Sequence, residues 1–287
     1  MPAVSLWILV SGFLFTLMSM SAKICANYFT LFEILFWRSL FGIVCVASLM
    51  IYQGVPFPTK HPMAHIKRCV AGILCFLLEI WALCYLPLSV EQPISYLSPL
   101  LFCSFFVISS RRTGDRIDWP VIGAVVLGFI GVLFIARPSA EGFNATGVVL
   151  AILSAFAGAS TNWFLRSLGE HGEPSERAVF YFMLMGLLTG IIGIIFSPEP
   201  FHIPHGKWIW PLTGVMTTGI VAQVISTYAW AKGHSLLNAV FQFFGIFFCI
   251  VIGVAVLGEN PDMTTIFGAV LIFVAGLFSS LYLRKMR

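Results

Sequence analysis

Ten apolar runs, each about as long as a helix needs to cross a bilayer, fill almost the whole chain and leave only short connections. They fall near residues 4–24, 31–52, 67–86, 90–109, 119–136, 146–166, 177–196, 208–230, 236–256 and 264–283. About 20 consecutive apolar residues span the hydrocarbon core as a helix, and in lipid every backbone amide must find its partner inside the protein. The pattern therefore predicts an all-α polytopic membrane protein of ten transmembrane helices with no soluble domain. A chain that is 59% hydrophobic and only 10% charged cannot cover itself with a water-facing surface. Its formal charge of +4 is small and its basic residues sit in loops, which points to membrane orientation and not to a nucleic-acid surface. The first run lacks a basic leader and a small-residue cleavage site, so it reads as a membrane helix. The seven cysteines lie mostly inside apolar runs without C-x-x-C spacing and read as packing residues, not disulfides or metal ligands.

Positive charge fixes an orientation. With the N-terminus inside, twelve of the sixteen Lys and Arg residues fall in inner loops or the tail, Lys23, Arg137 and Lys207 fall outside, and Arg38 lies within a span. The opposite orientation would reverse this bias, so both termini are expected in the cytoplasm and the protein in the inner membrane.

The fifth and tenth runs share a phrase. "GAVVLGFIG" at 123–131 and "GAVLIFVAG" at 268–276 align Gly123 with Gly268, Ala124 with Ala269, Val125 with Val270 and Gly131 with Gly276. Weaker echoes follow in the same order, with Lys23 opposite Arg166 and "WALCYLPLS" opposite "YAWAKGHSL". The chain is thus expected to divide into two five-helix repeats, 1–140 and 141–287. Because five is odd, the second would insert upside down relative to the first, a pattern found in transporters that alternate around a central cavity. The shared glycines would let their helices pack closely.

These features resemble the bacterial EamA-type branch of the drug/metabolite transporter superfamily. The resemblance is carried by a basic residue ending the first helix (Lys23), an Arg within the second (Arg38 in "EILFWRSLFG") and an "LGE" closing the ninth (Leu257-Gly258-Glu259). It implies ten helices in two inverted repeats, with a cavity lined mainly by helices 1, 3, 4, 6, 8 and 9 for amino acids, nucleotide-like metabolites or other small polar solutes. One departure is visible: the fourth span ends "VISSRRTGDR" where the family usually repeats "LGE".

Ionisable groups inside a bilayer are costly, so each is a candidate for function. Glu79 is mid-span in "LLEIWALCY", on one face with Cys75 and Leu83 and flanked by Trp81 and Tyr85. A carboxylate beside aromatics suits an amine-bearing solute, and buried in a span it is also a candidate proton carrier; a structural carboxylate satisfied by a neighbouring helix is the competing reading. Arg38 either holds a carboxylate substrate or staples a partner helix, and Glu33, near its helix start, complements the helix dipole. "LSVEQPIS" reads as a capping box from Ser89 to Gln92 with Glu91 in the first turn. Yet Pro93 and Pro99 loosen this helix, which keeps Gln92, Tyr96 and Ser98 as cavity candidates. In the second half Asn162, Trp163, Gln223, Tyr228, Trp230, Asn238 and Gln242 place amides and aromatics in spans 6, 8 and 9, either bonding across helices or touching solute. The six histidines fall in loops or at span ends.

The sequence thus predicts a transporter that moves a small polar or amphiphilic metabolite across the inner membrane, with efflux favoured over uptake. Its expected site residues are Glu79, Trp81, Tyr85, Gln92, Tyr96, Trp163, Tyr228, Gln242 and Arg38. Its expected partners are the metabolite, the lipid bilayer and, as a coupling ion, the proton, with no cofactor. A polytopic membrane enzyme acting on lipid or peptide is the alternative; the chain contains neither H-E-x-x-H nor G-x-S-x-G.

Overall fold

The computed structural model describes residues 2–111, 119–136 and 144–286. The first half folds as α1 (Pro2–Ser5), α2 (Trp7–Cys25), α3 (Leu31–Gln53), α4 (Pro62–Leu83), α5 (Leu88–Ser95), α6 (Ser98–Arg111) and α7 (Trp119–Ala136). The second folds as α8 (Ala145–Glu170), α9 (Ser175–Phe196), α10 (Ile209–Lys232), α11 (Ser235–Gln242), α12 (Gly245–Leu257) and α13 (Met263–Met286), with a short 3-10 turn at Gly206–Trp208. Paired as α1–α2, α5–α6 and α11–α12, these make ten spans. Among the described residues seven stretches are long and apolar enough to cross a membrane, and α7 and α13 contribute shorter apolar ones. The tenth, α4, carries His65, Lys67, Arg68 and Glu79; His65 and Arg68 are buried, Glu79 is partly buried and Lys67 is exposed.

Local chemistry explains the boundaries. Thr30 caps α3 by accepting from the Glu33 amide at 3.2 Å while the Glu33 carboxylate accepts from the Thr30 amide at 2.7 Å, a complete capping box. Glu33 also accepts from the His202 amide and so ties the start of α3 to the segment before α10. The chain leaves α12 through Gly258 at φ +67°, a left-handed residue that glycine adopts without Cβ strain and that turns Glu259 back toward the bundle.

The broadest helix pairings are α7 with α13, α4 with α8, α2 with α10, and α3 with α9. Exchanging each span for the one five further on maps this set of pairs onto itself. The shared phrase has a physical role in the first pair: a Cβ on Gly131 would lie 2.7 Å from the Gly268 carbonyl oxygen, and a Cβ on Gly268 would strike the Gly131 carbonyl in return. Only glycine lets the two backbones approach so closely. Gly123 has open space around it, and Gly276 instead makes room for the Phe243 ring.

Two apolar clusters flank the centre. One gathers Ile94, Leu97, Phe102, Ile135, Ala155 and Ile272 around α5–α8 and α13; the other gathers Met18, Ile34, Met50, Phe76, Phe182 and Val215 around α2–α4, α9 and α10. Large apolar side chains such as Val44, Ile51, Ile192, Ile195 and Phe196 point outward, as they do on a surface bathed in lipid.

Candidate functional site

Between the two clusters lies a cavity of about 160 Å³. Span 1 contributes Phe15 and Met18, span 3 Arg68, Cys75 and Glu79, span 4 Gln92, Ser95, Tyr96 and Ser98, span 6 Ser154 and Asn162, span 8 Gln223 and Ser226, and span 9 Gln242. These are the six helices the resemblance implies. Arg38 and Phe182 add spans 2 and 7.

Both broken spans meet here. Span 4 interrupts at Tyr96–Leu97, between Pro93 and Pro99, and span 9 interrupts at Phe243–Phe244. The Tyr96 hydroxyl occupies the space that a side chain on Gly245 would need, so the two breaks touch. Interrupted helices in corresponding positions of two halves are a mark of a substrate site near the bilayer midplane.

Glu79 is held from two sides: the Ser19 hydroxyl donates to Oε1 at 2.6 Å and the Gln92 amide donates to the same oxygen at 2.9 Å. Gln92 Nε2 also lies 3.0 Å from Glu91 Oε2, whose other oxygen accepts from Ser95 at 2.6 Å. One amide therefore bridges two carboxyl groups, both enclosed by protein. Across the cavity the Arg38 guanidinium donates from Nη2 to Gln223 at 3.3 Å and stacks 4.6 Å from the Phe76 centroid, and Arg68 sits 3.9 Å over Phe182. Asn162 Nδ2 approaches Gln242 Oε1 at 3.4 Å.

Of the residues expected from sequence, Glu79, Arg38, Gln92, Tyr96 and Gln242 line this cavity. Trp81, Tyr85 and Tyr228 lie outside it and are 46%, 44% and 41% exposed on the outer face of the bundle. At 100° per residue Trp81 is rotated about 200° from Glu79 and so cannot flank it, and Tyr85 lies beyond the end of α4 at Leu83. Trp163 packs between Phe102 and Phe105 at ring distances of 6.1 and 6.3 Å, under the Arg166 guanidinium. The capping box read into "LSVEQPIS" does not form: α5 begins at Leu88, one residue before Ser89, and Gln92 turns to Glu79 instead.

The capping role passes to Glu259, whose Oε1 accepts from the Leu88 amide at 2.7 Å and whose Oε2 accepts from the Ser89 amide at 2.8 Å. Lys23 closes the same end of the bundle, donating to Glu259 at 3.0 Å and to the Leu86 carbonyl at 2.9 Å. Burial works against the Glu259 carboxylate, but the Ser89 and Leu88 amides and Lys23 more than offset it and hold its pKa below the ordinary carboxylate value. At the opposite end Glu173 accepts from Thr59 at 2.8 Å and Arg177 at 2.8 Å and meets His65 at 3.3 Å. Its pKa too is lowered, partial burial being outweighed by these three donors. The "SSRRTGDR" stretch lies largely outside the described residues.

Arg68, Ser19 and Ser154 join the site without any local pattern to mark them, and Glu91, expected only as a first-turn charge, joins it through Gln92. Arg68 reads as a loop charge because the apolar run starts at 67; the helix starts five residues earlier at Pro62, whose ring suits a first turn.

A helical bundle of apolar spans with charged groups around a central cavity has the features of a membrane transporter. The comparisons agree. The EamA-like transporter family matches residues 3–137 and again 145–281, and the chain belongs to that family. It is 28% identical to the pseudopaline exporter CntI of Pseudomonas aeruginosa over 93% of this chain and 92% of that one. It is 23% identical to the S-adenosylmethionine uptake transporter of Rickettsia conorii, over 94% and 91% of the two chains. Against the riboflavin transporter of Vibrio cholerae it is 26% identical over 83% and 78%. A crystal structure 18% identical in sequence superposes with a TM-score of 0.70 over 98% of this chain and 99% of that one, which shows a shared fold. The protein is a multi-pass bacterial membrane protein that transports a small metabolite, and it is not an enzyme.

Proposed function

We propose that the central cavity binds a small polar or amphiphilic metabolite, in the range from amino acids and amines to nucleotide-like solutes, and exposes it to each side of the inner membrane in turn. The two halves, 1–140 and 141–287, act as inverted repeats that rock about this site, as the self-consistent exchange of helix pairs supports. Both termini lie in the cytoplasm. Lys23 and Glu259 then close the periplasmic end, and the Glu173 network braces the cytoplasmic end. Export is the favoured direction, and the proton is the coupling ion, carried by Glu79.

One observation carries the reading. Glu79 is a carboxyl group inside a span, in the last turns of α4, bonded to Ser19 and Gln92 and turned into a polar cavity shared by both halves. A charge so placed in a bilayer is costly unless it faces a pathway or a partner. The test is ligand-dependent thermal stabilisation of the purified protein against amino acids, methylated and quaternary amines, nucleosides and sugar phosphates, repeated with Glu79→Gln. A solute that raises the Tm of the wild type and not of Glu79→Gln supports the site. Stabilisation that survives the substitution would return Glu79 to a structural role.

A further inference from the structure

Arg68 is an enclosed cation that nothing balances. Its side chain is 0% exposed, its Nε and Nη1 have no hydrogen-bond partner, and no carboxylate bonds to it among the described residues. A guanidinium keeps its proton, so it cannot escape burial by becoming neutral. Water in the cavity can satisfy an N–H group but cannot cancel the charge. The carboxylates on either side of it along the bundle are engaged elsewhere. Glu79 shares its face of α4 but lies eleven residues on, about 16 Å along the helix, and is held by Ser19 and Gln92. Glu173 meets His65, one turn before Arg68, and is taken up by Thr59 and Arg177. Stacking 3.9 Å from the Phe182 centroid offsets only part of the cost of burying a charge. Arg38 lies 5.4 Å from the same centroid, with its own Nε and Nη1 unpaired and Gln223 accepting from Nη2. The charged side chains of the cavity wall are Arg38, Arg68 and Glu79, one positive charge in excess.

We propose that Arg68, with Arg38 beside it, holds a small monovalent inorganic anion, chloride in the cell, as a standing counter-ion distinct from the transported solute. One negative charge cancels the excess, whereas a divalent anion reverses it, and net charge is what a low-dielectric site tolerates least. The ion sits where spans 2, 3 and 7 supply Arg38, Arg68 and Phe182, and spans 2 and 7 lie outside the six lining helices that the family resemblance implies. Close walls favour a small ion: a Cβ on Gly72 would come within 2.9 Å of Arg68 Nη1 and 3.0 Å of the Phe182 ring. A spherical ion accepts N–H groups arriving from two directions, and a charge-assisted bond to each guanidinium strengthens its hold. Binding to the folded state alone makes the stability of the solute-free protein depend on chloride.

The experiment uses purified full-length protein in lipid nanodiscs without any solute. Sodium gluconate is replaced stepwise by sodium chloride at constant ionic strength, and Tm is read for wild type, Arg68→Gln, Arg68→Lys and Lys207→Gln. The expected result is a wild-type Tm that rises with chloride along a saturating curve, a rise that bromide reproduces. Arg68→Gln should lose the rise and, no longer burying an unbalanced charge, should melt in gluconate at least as high as the wild type. Arg68→Lys, which keeps the charge, should keep a chloride response, and Lys207→Gln, which removes a cation outside the cavity, should keep all of it. The line width of the chloride NMR signal reads binding without melting: wild-type protein should broaden it, and Arg68→Gln should not. The same Tm in chloride and gluconate would overturn the proposal, as would an undiminished rise in Arg68→Gln. Acetate that stabilises where chloride does not would assign the negative charge to the acid group of a solute and discard the inorganic ion.

Discussion

Glu259 joins three charge-assisted bonds at one end of the bundle, and its substitution should release that end. The carboxylate caps the Leu88 and Ser89 amides at the start of α5 and pairs with Lys23, linking spans 1, 4 and 9 at one point. Its side chain is only 11% exposed, so water replaces these bonds poorly. Glu259→Gln keeps one acceptor oxygen for one amide; the other amide then faces an NH2 group, and Lys23 retains only the Leu86 carbonyl. Losing two charge-assisted bonds of about 1.5–3 kcal/mol each, with part recovered from solvent, leaves a net loss of roughly 2–3 kcal/mol for the closed end. That is about a 30- to 140-fold shift toward opening there. The assay uses the native thiol of Cys75 in the cavity wall, the other six cysteines being replaced by serine or alanine. In oriented vesicles the rate of Cys75 modification by a membrane-impermeant thiol reagent is measured from each side. Glu259→Gln should accelerate it from the Lys23 side by that factor and from the opposite side not at all. Equal rates in wild type and variant from the Lys23 side would refute the closure.

Three further outcomes follow from the geometry. Glu173 titrates below its ordinary value of about 4.3 in the folded protein, so its contribution to stability is present above that value and lost as pH falls through the lower, folded one; Tm measured from pH 7 downward should show this acid loss, and Glu173→Gln should lack it while lowering Tm at pH 7. Gly268→Val should lower stability by more than about 1–3 kcal/mol, the range for overpacking, because its neighbour is the Gly131 carbonyl, whereas Gly123→Ala, with open space at its Cβ inside α7, should raise the Tm slightly. Alanine at Trp81, Tyr85 or Tyr228 should change ligand affinity less than twofold in a binding titration, since none of the three reaches the cavity.

The spans and their ends were legible because hydrophobic length and punctuation are properties of the local sequence. All ten expected runs overlap a helix or a helix pair, and the breaks fall at Pro93–Pro99 and beside Gly245. Site residues were legible where chemistry alone marks them: Glu79, Arg38 and Gln92 are too polar to be idle in lipid. Aromatic residues carry no such mark. Trp81 and Tyr85 share a run with Glu79, yet helical rotation turns Trp81 away from it and the helix ends before Tyr85, leaving both on the surface, where an amphipathic ring is equally at home. Arg68 was obscured by the reverse effect, since a charge at the end of an apolar run looks like a loop until the helix is seen to extend a further turn. Glu259 was marked only as part of a short motif; that it caps α5 depends on a contact across 171 residues, which no local pattern contains.

The contact between the two broken spans has its own consequence. Tyr96 sits at the break in span 4, with its hydroxyl against the bare Cα of Gly245 just beyond the break in span 9, and its ring forms part of the cavity wall. A methyl group on Gly245 falls inside the present position of that ring, and Tyr96 is already buried on its other sides. The ring must therefore move into the cavity or push the two breaks apart. Overpacking of this kind costs about 1–3 kcal/mol, which as a loss of bound-state stability corresponds to a roughly 5- to 150-fold weaker ligand affinity. Since helix α12 gains from replacing glycine with alanine in its first turn, the ligand-free Tm should fall by less than this cost alone would give. The pair of measurements separates a site defect from a folding defect: Gly245→Ala should weaken binding while the protein stays folded, and Tyr96→Ala, which removes a buried ring, should cost less ligand-free stability in that background than in the wild type because it also makes room for the methyl group. Wild-type affinity in Gly245→Ala would show that the two breaks move independently of the cavity.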